Sequence, residues 1–436
     1  MNLVRRLMMA AVLALLATPG LTAAPAMPPQ DVMQNWYRLI LELVRHTPTY
    51  SPPVASRAFA YVGVTAYEAV ASGSDTLETL AGQLNGLTPV PAREAGQAYD
   101  EAVVLQSALA AATHAFFSNT GPTGQRAMTA MDHKLRTEAS VGIADDVVAR
   151  SEAYGAAVAA HILAWSATDG GAVVENMGFP YAYDLPKGPD KWVPTSLIAQ
   201  QQLPLLPSWG QNRPFVMANG AACAVPPPPA YSEDKASAFY REAAEVFDVK
   251  KALTKDQRAV ARFWSDDAML SQTPPGHWVA IAWQALESQN ADLDRTVEVQ
   301  ARLGVALADA FIGNWQAKYE YDLLRPVTYI RRTMDPKWES TMTTPPFPEY
   351  PSGHSTLSGA AATVLTSLFG ADFAFEDASH ADEGLPPRSF ASFWAAADEA
   401  GISRLYGGIH FRSAIEQGLE QGRCIGTQAN TLRTRN

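Results

Sequence analysis

Apolar residues recur along this chain at intervals of three and four. Trp36, Leu39, Ile40, Leu43 and Val44 fall on one side of a 3.6-residue spiral. The same period runs through residues 56–71, 101–117, 145–167, 236–247, 254–267, 296–324, 356–369, 390–400 and 413–432. No run of alternating residues bounded by hairpin turns competes with it, so the pattern predicts an all-α fold of helical bundles. Between the periodic segments lie long connections at 170–232, at 331–350 and at the acidic 372–388. Connections of this length in a packed protein carry function or cover something, although an exposed connector is also a fair reading of 372–388.

Composition narrows the class. With 436 residues, 47% of them hydrophobic, the chain can bury one large core or two fused ones. A formal net charge of -11 argues against a nucleic-acid backbone or an anionic membrane surface as partner, while leaving room for a small basic pocket inside an acidic shell. The N-terminus places Arg5 and Arg6 before an apolar run of eleven residues at 7–17, then Thr22 and Ala24 at cleavage spacing. This reads as an export leader over residues 1–24, with the periplasm or the exterior as destination. The run is well short of the roughly 20 residues that a spanning helix needs. Residues 25–436 then read as one helical domain with its motif-bearing half at about 250–436. Cys223 and Cys424, the two cysteines, could be bridged in an oxidising compartment or stand as separate thiols.

Three segments carry the candidate chemistry. In NWQAKYEYDLLRPVTYI, Lys318 and Arg325 lie seven residues apart, nearly two helical turns, which predicts two cations on one face. Alone this also fits a solvated helix face, but Trp315, Tyr321 and Leu324 make the stretch apolar for a surface. In PPFPEYPSGHSTLSGAA, a proline-rich approach ends where Ser352 can cap a helix. Its hydroxyl and the amide of Gly353 would then form an anion cradle at the positive helix end, with His354 placed to exchange a proton. A capping serine followed by a surface histidine would look the same. GHSTL fails as a nucleophile elbow because Leu357 stands where the second glycine belongs. In SRLYGGIHFRSAIEQG, Gly407 and Gly408 break the chain so that Arg404 and His410 can reach one point. Together these residues supply cations, a hydroxyl, an amide and two histidines, the inventory for a tetrahedral oxyanion.

The same residues resemble the three signature motifs of the type 2 phosphatidic acid phosphatase and vanadium haloperoxidase superfamily, KxxxxxxRP, PSGH and SRxxxGxHxxxD. Lys318 to Pro326 match the first, Pro351 to His354 the second, and Ser403 to His410 all of the third but its last position. The soluble chloroperoxidase-like branch looks nearest, since its PSGH is likewise introduced by PPFP and an aromatic. By that resemblance Trp315 and Phe347 are pocket residues, and Asp267 of FWSDD is a carboxylate supporting a pocket arginine. Phe347 stands where bromoperoxidases of algal type carry a histidine, so halide choice stays open. The third motif's aspartate is replaced by Ala414; Ser413, Glu416 or a backbone carbonyl are the candidates to orient His410 in its place.

What the resemblance implies is a vanadate cofactor, with His410 as the vanadium ligand and Lys318, Arg325, Ser352, Gly353 and Arg404 around its oxygens. His354 would be the acid and base and Lys318 a catalytic cation, and the substrates would be hydrogen peroxide and halide, giving a hypohalous acid. The alternative is a secreted acid phosphatase without a cofactor, acting on a phosphate ester with His410 as nucleophile and His354 protonating the leaving alcohol. A phosphate-binding protein without catalysis is a third reading. Oligomeric state is not legible.

Overall fold

The computed structural model describes residues 27–196, 203–267 and 269–435, so the leader read at 1–24 lies outside the described residues. Among them are thirteen α-helices and one pair of short strands. The N-terminal half comprises α1 (Pro29–Arg45), α2 (Pro52–Ala71), α3 (Glu101–Phe116), α4 (Pro122–Ala139) and α5 (Asp145–Ser166). After a long connection come α6 (Ala238–Ala252), α7 (Lys255–Phe263), α8 (Thr273–Ser288), α9 (Leu293–Tyr321) and α10 (Pro326–Thr333). The C-terminal part holds α11 (Gly353–Phe369), strands β1 (Phe375–Asp377) and β2 (Arg388–Phe390), α12 (Phe393–Tyr406) and α13 (Arg412–Ala429). The all-α expectation holds, with the acidic connection 372–388 carrying the small antiparallel pair, Phe375 opposite Phe390.

The helix ends follow local chemistry. Asp100, Ser237, Asp292, Ser352 and Ser392 each accept an N–H of the first turn they precede, and Thr254 with Gln257 forms a full capping box. Among the periodic segments that end earlier than expected, two bear on the site. The 254–267 pattern stops at Phe263, and the 296–324 pattern stops at Tyr321, where Asp322 turns left-handed at φ 50°. Arg325 therefore stands outside α9, as the residue preceding α10. The expected shared helix face of Lys318 and Arg325 does not exist; a left-handed turn and a short extended piece bring them together instead.

α9 is the central strut, roughly 40 Å long at 1.5 Å per residue, and its residues from Thr296 to Asn314 alternate between packing partners with almost none exposed. It packs on α2 on one side and on α11 and α13 on the other, so one continuous core joins the two halves. Close approach explains the small residues. A Cβ on Gly63 would lie 2.8 Å from Gln300 O of α9, and one on Gly422 only 2.1 Å from Thr356 O of α11. The second contact sets how closely α13 lies on α11, next to the helix start that carries Ser352, Gly353 and His354.

The connection 203–232 is pinned to the same strut. Buried Asp309 of α9 accepts the amides of Phe215, Val216 and Met217. Trp315 Nε1 donates to Leu205 O, and Leu205 N donates to Pro346 O in the proline-rich stretch. A disulfide joins Cys223 of this connection to Cys424 of α13, resolving the cysteine question in favour of a bridge.

Candidate active site

A cavity of about 530 Å³ opens between the start of α2 and the C-terminal motifs. Phe311, Trp315 and Phe347 form much of its apolar wall, and Gly353, His354, Arg404 and His410 give it its polar end. Lys318, Arg325 and Ser352 lie just behind that lining, fully buried. The three motifs are thus brought to one place.

Local structure accounts for each position. Gly408 adopts φ 74° after α12 ends at Tyr406, and the turn delivers His410 next to Arg404 as the two-glycine break predicts. Ser352 caps α11 by accepting the amide and hydroxyl of Ser355, while its own amide donates to Ala414 O. Because α11 starts at Gly353, the amides of its first turn have no helical acceptor and face the positive end of the dipole.

The orienting group for His410 is Glu349, from the proline-rich stretch and not from the third motif. Its Oε1 accepts from His410 Nδ1 at 2.8 Å and from the Phe411 amide at 2.8 Å. Ser413 instead donates to Glu242, and Glu416 lies on the exposed side of α13 near Arg412. Neither of these side chains, nor the backbone carbonyl also read as a candidate, takes the place that Glu349 fills. Arg325 can only donate to the His410 Nε2 it faces, so in the neutral ring Nδ1 carries the hydrogen and Glu349 Oε1 accepts it. Nε2 is then the lone-pair nitrogen, and it accepts from Arg325 Nη1 at 3.1 Å. Burial, together with Arg325, Lys318 and Arg404, holds His410 well below the usual histidine pKa, so the ring is neutral. Burial pushes Glu349 up to about 8 against the pull of Arg325, the Phe411 amide and Lys318.

The cations differ in their engagement. Arg325 Nε donates to Phe347 O and Nη1 to Ile409 O, both at 3.0 Å, but Nη2 is buried without a partner among the described residues. Arg404 donates through Nη1 to Trp264 O, and its Nε is likewise unmatched. Burial pulls the two guanidiniums down to about 9 and about 10, the mark of buried positive charge without enough anion around it. Asp266 and Asp267 both favour the charged Arg404, so the carboxylate expected at Asp267 has a close companion. Lys318 is different: its ammonium serves three backbone carbonyls, Pro348 O at 3.1 Å, Glu349 O at 2.9 Å and Pro351 O. Burial and Arg325 draw its pKa well down, while three acceptors match the three donors of the charged form. In this geometry Lys318 shapes the proline-rich loop and does not line the cavity.

His354 lines the cavity with its Nε2 turned inward, 3.6 Å from Asp266 Oδ2. Burial and then Arg404 lower its pKa to about 4, against Asp266. Behind it lies a group that motif reading missed. His277, Asp377 and His380 gather around Asp266, all buried. Only the FWSDD stretch, read for Asp267, touched it in the sequence.

A lone-pair imidazole nitrogen, two partnerless guanidinium nitrogens and the free amides at a helix start suit a tetrahedral oxyanion such as vanadate or phosphate. Such an anion would satisfy donors that the protein leaves unmatched.

Comparison with known proteins agrees in kind. A family model described as the VCPO second helical-bundle domain matches residues 298–435. Vanadium chloroperoxidase of Curvularia inaequalis is 31% identical over a stretch that takes in 26% of this chain and 23% of that protein's length. The crystal structure of the first bacterial vanadium-dependent iodoperoxidase superposes with a TM-score of 0.86 at 38% identity, covering 95% of this chain and 99% of the other. A holo-type bacterial vanadium-dependent chloroperoxidase shares the fold at a TM-score of 0.69 and 16% identity, over 89% of this chain and 93% of its own.

Proposed function

Since the chain belongs to the vanadium-dependent haloperoxidase family, we propose that it oxidises halide with hydrogen peroxide to a hypohalous acid. The observation that carries this reading is the meeting, at one buried cavity end, of the His410 lone pair with the unmatched Arg325 Nη2 and Arg404 Nε. His410 Nε2 would hold the vanadium, and Arg325, Arg404, the Ser352 hydroxyl and the Gly353 amide would hold its oxygens. Vanadate, when bound, supplies the Lewis-acid activation of peroxide toward halide. Glu349 keeps the His410 proton on Nδ1, and His354, neutral at pH 7, is placed to accept a proton at the cavity end and return it. Lys318 would act through the loop it braces, holding Pro348 to Pro351 in register behind the oxyanion. The wall of Trp315, Phe347 and Phe311 limits water around the site.

Iodide is the first halide to test, on the strength of the full-length likeness to an iodoperoxidase. Export is proposed with it, supported by the leader-like 1–24 and by the Cys223–Cys424 bridge, which fits an oxidising compartment. One observation favours a second reading: Glu349 restores the orienting carboxylate that Ala414 removes, so phosphohistidine chemistry has its geometry. One experiment separates the two. Purified protein is reconstituted with vanadate and assayed for halogenation of a dye with peroxide and iodide, bromide or chloride, beside nitrophenyl phosphate hydrolysis without vanadate. Halogenation in the first arm is expected; phosphate release alone would overturn the haloperoxidase reading. His410→Ala should abolish whichever activity is present, and full activity in that variant would sink the site.

A further inference from the structure

Outside the oxyanion site, Asp266, His277 and His380 bring one ligand-type atom each to a common point. The three edges of that triangle are 3.0 Å from His277 Nδ1 to Asp266 Oδ1, 3.3 Å from His380 Nε2 to His277 Nδ1, and 3.4 Å from His380 Nε2 to Asp266 Oδ1. A tetrahedral zinc-type ion bonded at 2.0–2.1 Å separates its ligands by roughly 3.3–3.4 Å. We propose that Asp266, His277 and His380 form a second inorganic site, for a divalent cation of the zinc class, lying behind the oxyanion site and not holding the oxyanion itself.

The surrounding groups fit that chemistry. Each imidazole has its other nitrogen on a carboxylate: His277 Nε2 on Asp377 at 2.8 Å, and His380 Nδ1 on Glu383 at 3.1 Å. Such outer carboxylates fix which nitrogen of a ligating histidine faces the ion and raise its basicity. The set is buried and walled by aromatic rings. Trp264 stacks on His277 at 4.5 Å, and Phe263 lies edge-on to His277 and to His380. The buried Asp266 and Asp377 and the part-buried Glu383 surround the two imidazoles, with Arg404 as counter-charge to Asp266, and a dication would offset the remaining negative charge. A water would complete the tetrahedron.

The ligands come from three separate pieces of chain. Asp266 follows α7, His277 lies one turn into α8, Asp377 ends β1, and His380 and Glu383 belong to the β1–β2 connection. An ion here would staple the acidic connection 372–388 to the bundle and give that connection a purpose that its exposed composition hides. It would also fix Asp266, whose other oxygen stands behind His354.

A metal-free arrangement, in which His277 shares its Nδ1 proton with Asp266 and His380, is the competing account. Full-length purified protein is stripped with a chelator and titrated with zinc chloride by calorimetry, with metal content of the untreated protein measured by mass spectrometry. One zinc-class ion per chain, saturable binding and an unfolding midpoint that rises with zinc are expected. His380→Ala, on the outer connection, should lose the ion, and Glu383→Gln should weaken it by about 10- to 100-fold. Cobalt chloride, read by its visible absorption, should compete for the same site. Absence of a retained ion together with no saturable zinc or cobalt binding by the wild-type chain would overturn the proposal in favour of the shared proton. Unchanged zinc binding in His380→Ala would overturn the ligand assignment. Neither result bears on halogenation, which the assays above decide.

Discussion

Glu349 does at the scale of one side chain what the motif's missing aspartate does elsewhere in the superfamily, and the pair it makes with His410 can be tested by graded substitution. Glutamine keeps an oxygen that can accept from His410 Nδ1 and the Phe411 amide, so Glu349→Gln should retain most vanadate affinity. Glu349→Ala removes the acceptor and should cost about 10- to 100-fold, as measured by vanadate dependence of activity. A pH signature goes with it. Folding raises the Glu349 pKa from its ordinary 4.5 to about 8, so the folded chain holds more protons than the unfolded one between those values. Stability contributed by this group is therefore present below about pH 4.5 and lost as pH rises through about 8. Without vanadate, the unfolding midpoint of wild type relative to Glu349→Gln should fall over that window, and a flat difference would contradict the assigned shift. The sequence displayed Lys318, Arg325, Ser352, His354, Arg404 and His410 through motif spacing. It hid Glu349 because the bond to His410 spans 61 positions and depends on how two loops meet. Asp266, His277, Asp377 and His380 were hidden for the same reason.

Helices α11 and α13 decide how accurately the anion cradle is aimed. Their contact is backbone to backbone at Gly422, whose added Cβ would meet Thr356 O at 2.1 Å and Ala360 N at 2.7 Å. Neither atom can swing aside as a side-chain tip would. Gly422→Ala should therefore push the helices apart, destabilising the fold by about 1–3 kcal/mol. The first turn of α11 should shift with it, lowering halogenation more than the stability loss explains, since small misplacements of reacting groups are costly. Denaturant unfolding and vanadate-saturated kcat check the two effects separately; a stable variant with full kcat would refute the linkage. Periodicity revealed most of these helices because each buries an apolar stripe. It missed α4, which is exposed over most of its surface and buries only Met128, Leu135 and Ala139. It also missed α8, whose opening Thr273, Pro274 and Pro275 look like loop. It overran α9 because nothing in the apolar spacing announces that Asp322 turns left-handed.

For the molecule as a whole, the cavity depends on a connection that has little regular structure of its own. Leu205 and its neighbours hold Trp315 and Pro346 by backbone hydrogen bonds, Asp309 anchors residues 215–217, and Cys223 is tied to α13. The bridge links positions 201 apart. Closing a loop of that size in the unfolded chain removes entropy worth about 5 kcal/mol in the chain-entropy treatment, with strain-free native bridges commonly worth 2–5. Cys223 is buried whereas Cys424 is on the exposed side of α13, so replacing both with serine changes little of the folded core beyond the covalent tie. The double variant Cys223→Ser/Cys424→Ser should then lose at least about 2 kcal/mol of stability in denaturant unfolding. Wild-type protein kept reduced should behave as the variant does, because both lack the constraint on the unfolded ensemble. Vanadate, proposed above as a ligand of the folded state at a cavity walled by the tethered connection, should restore part of the lost midpoint in both. An unfolding midpoint indifferent to reduction would mean that Asp309 and the Leu205 contacts hold this wall without the bridge.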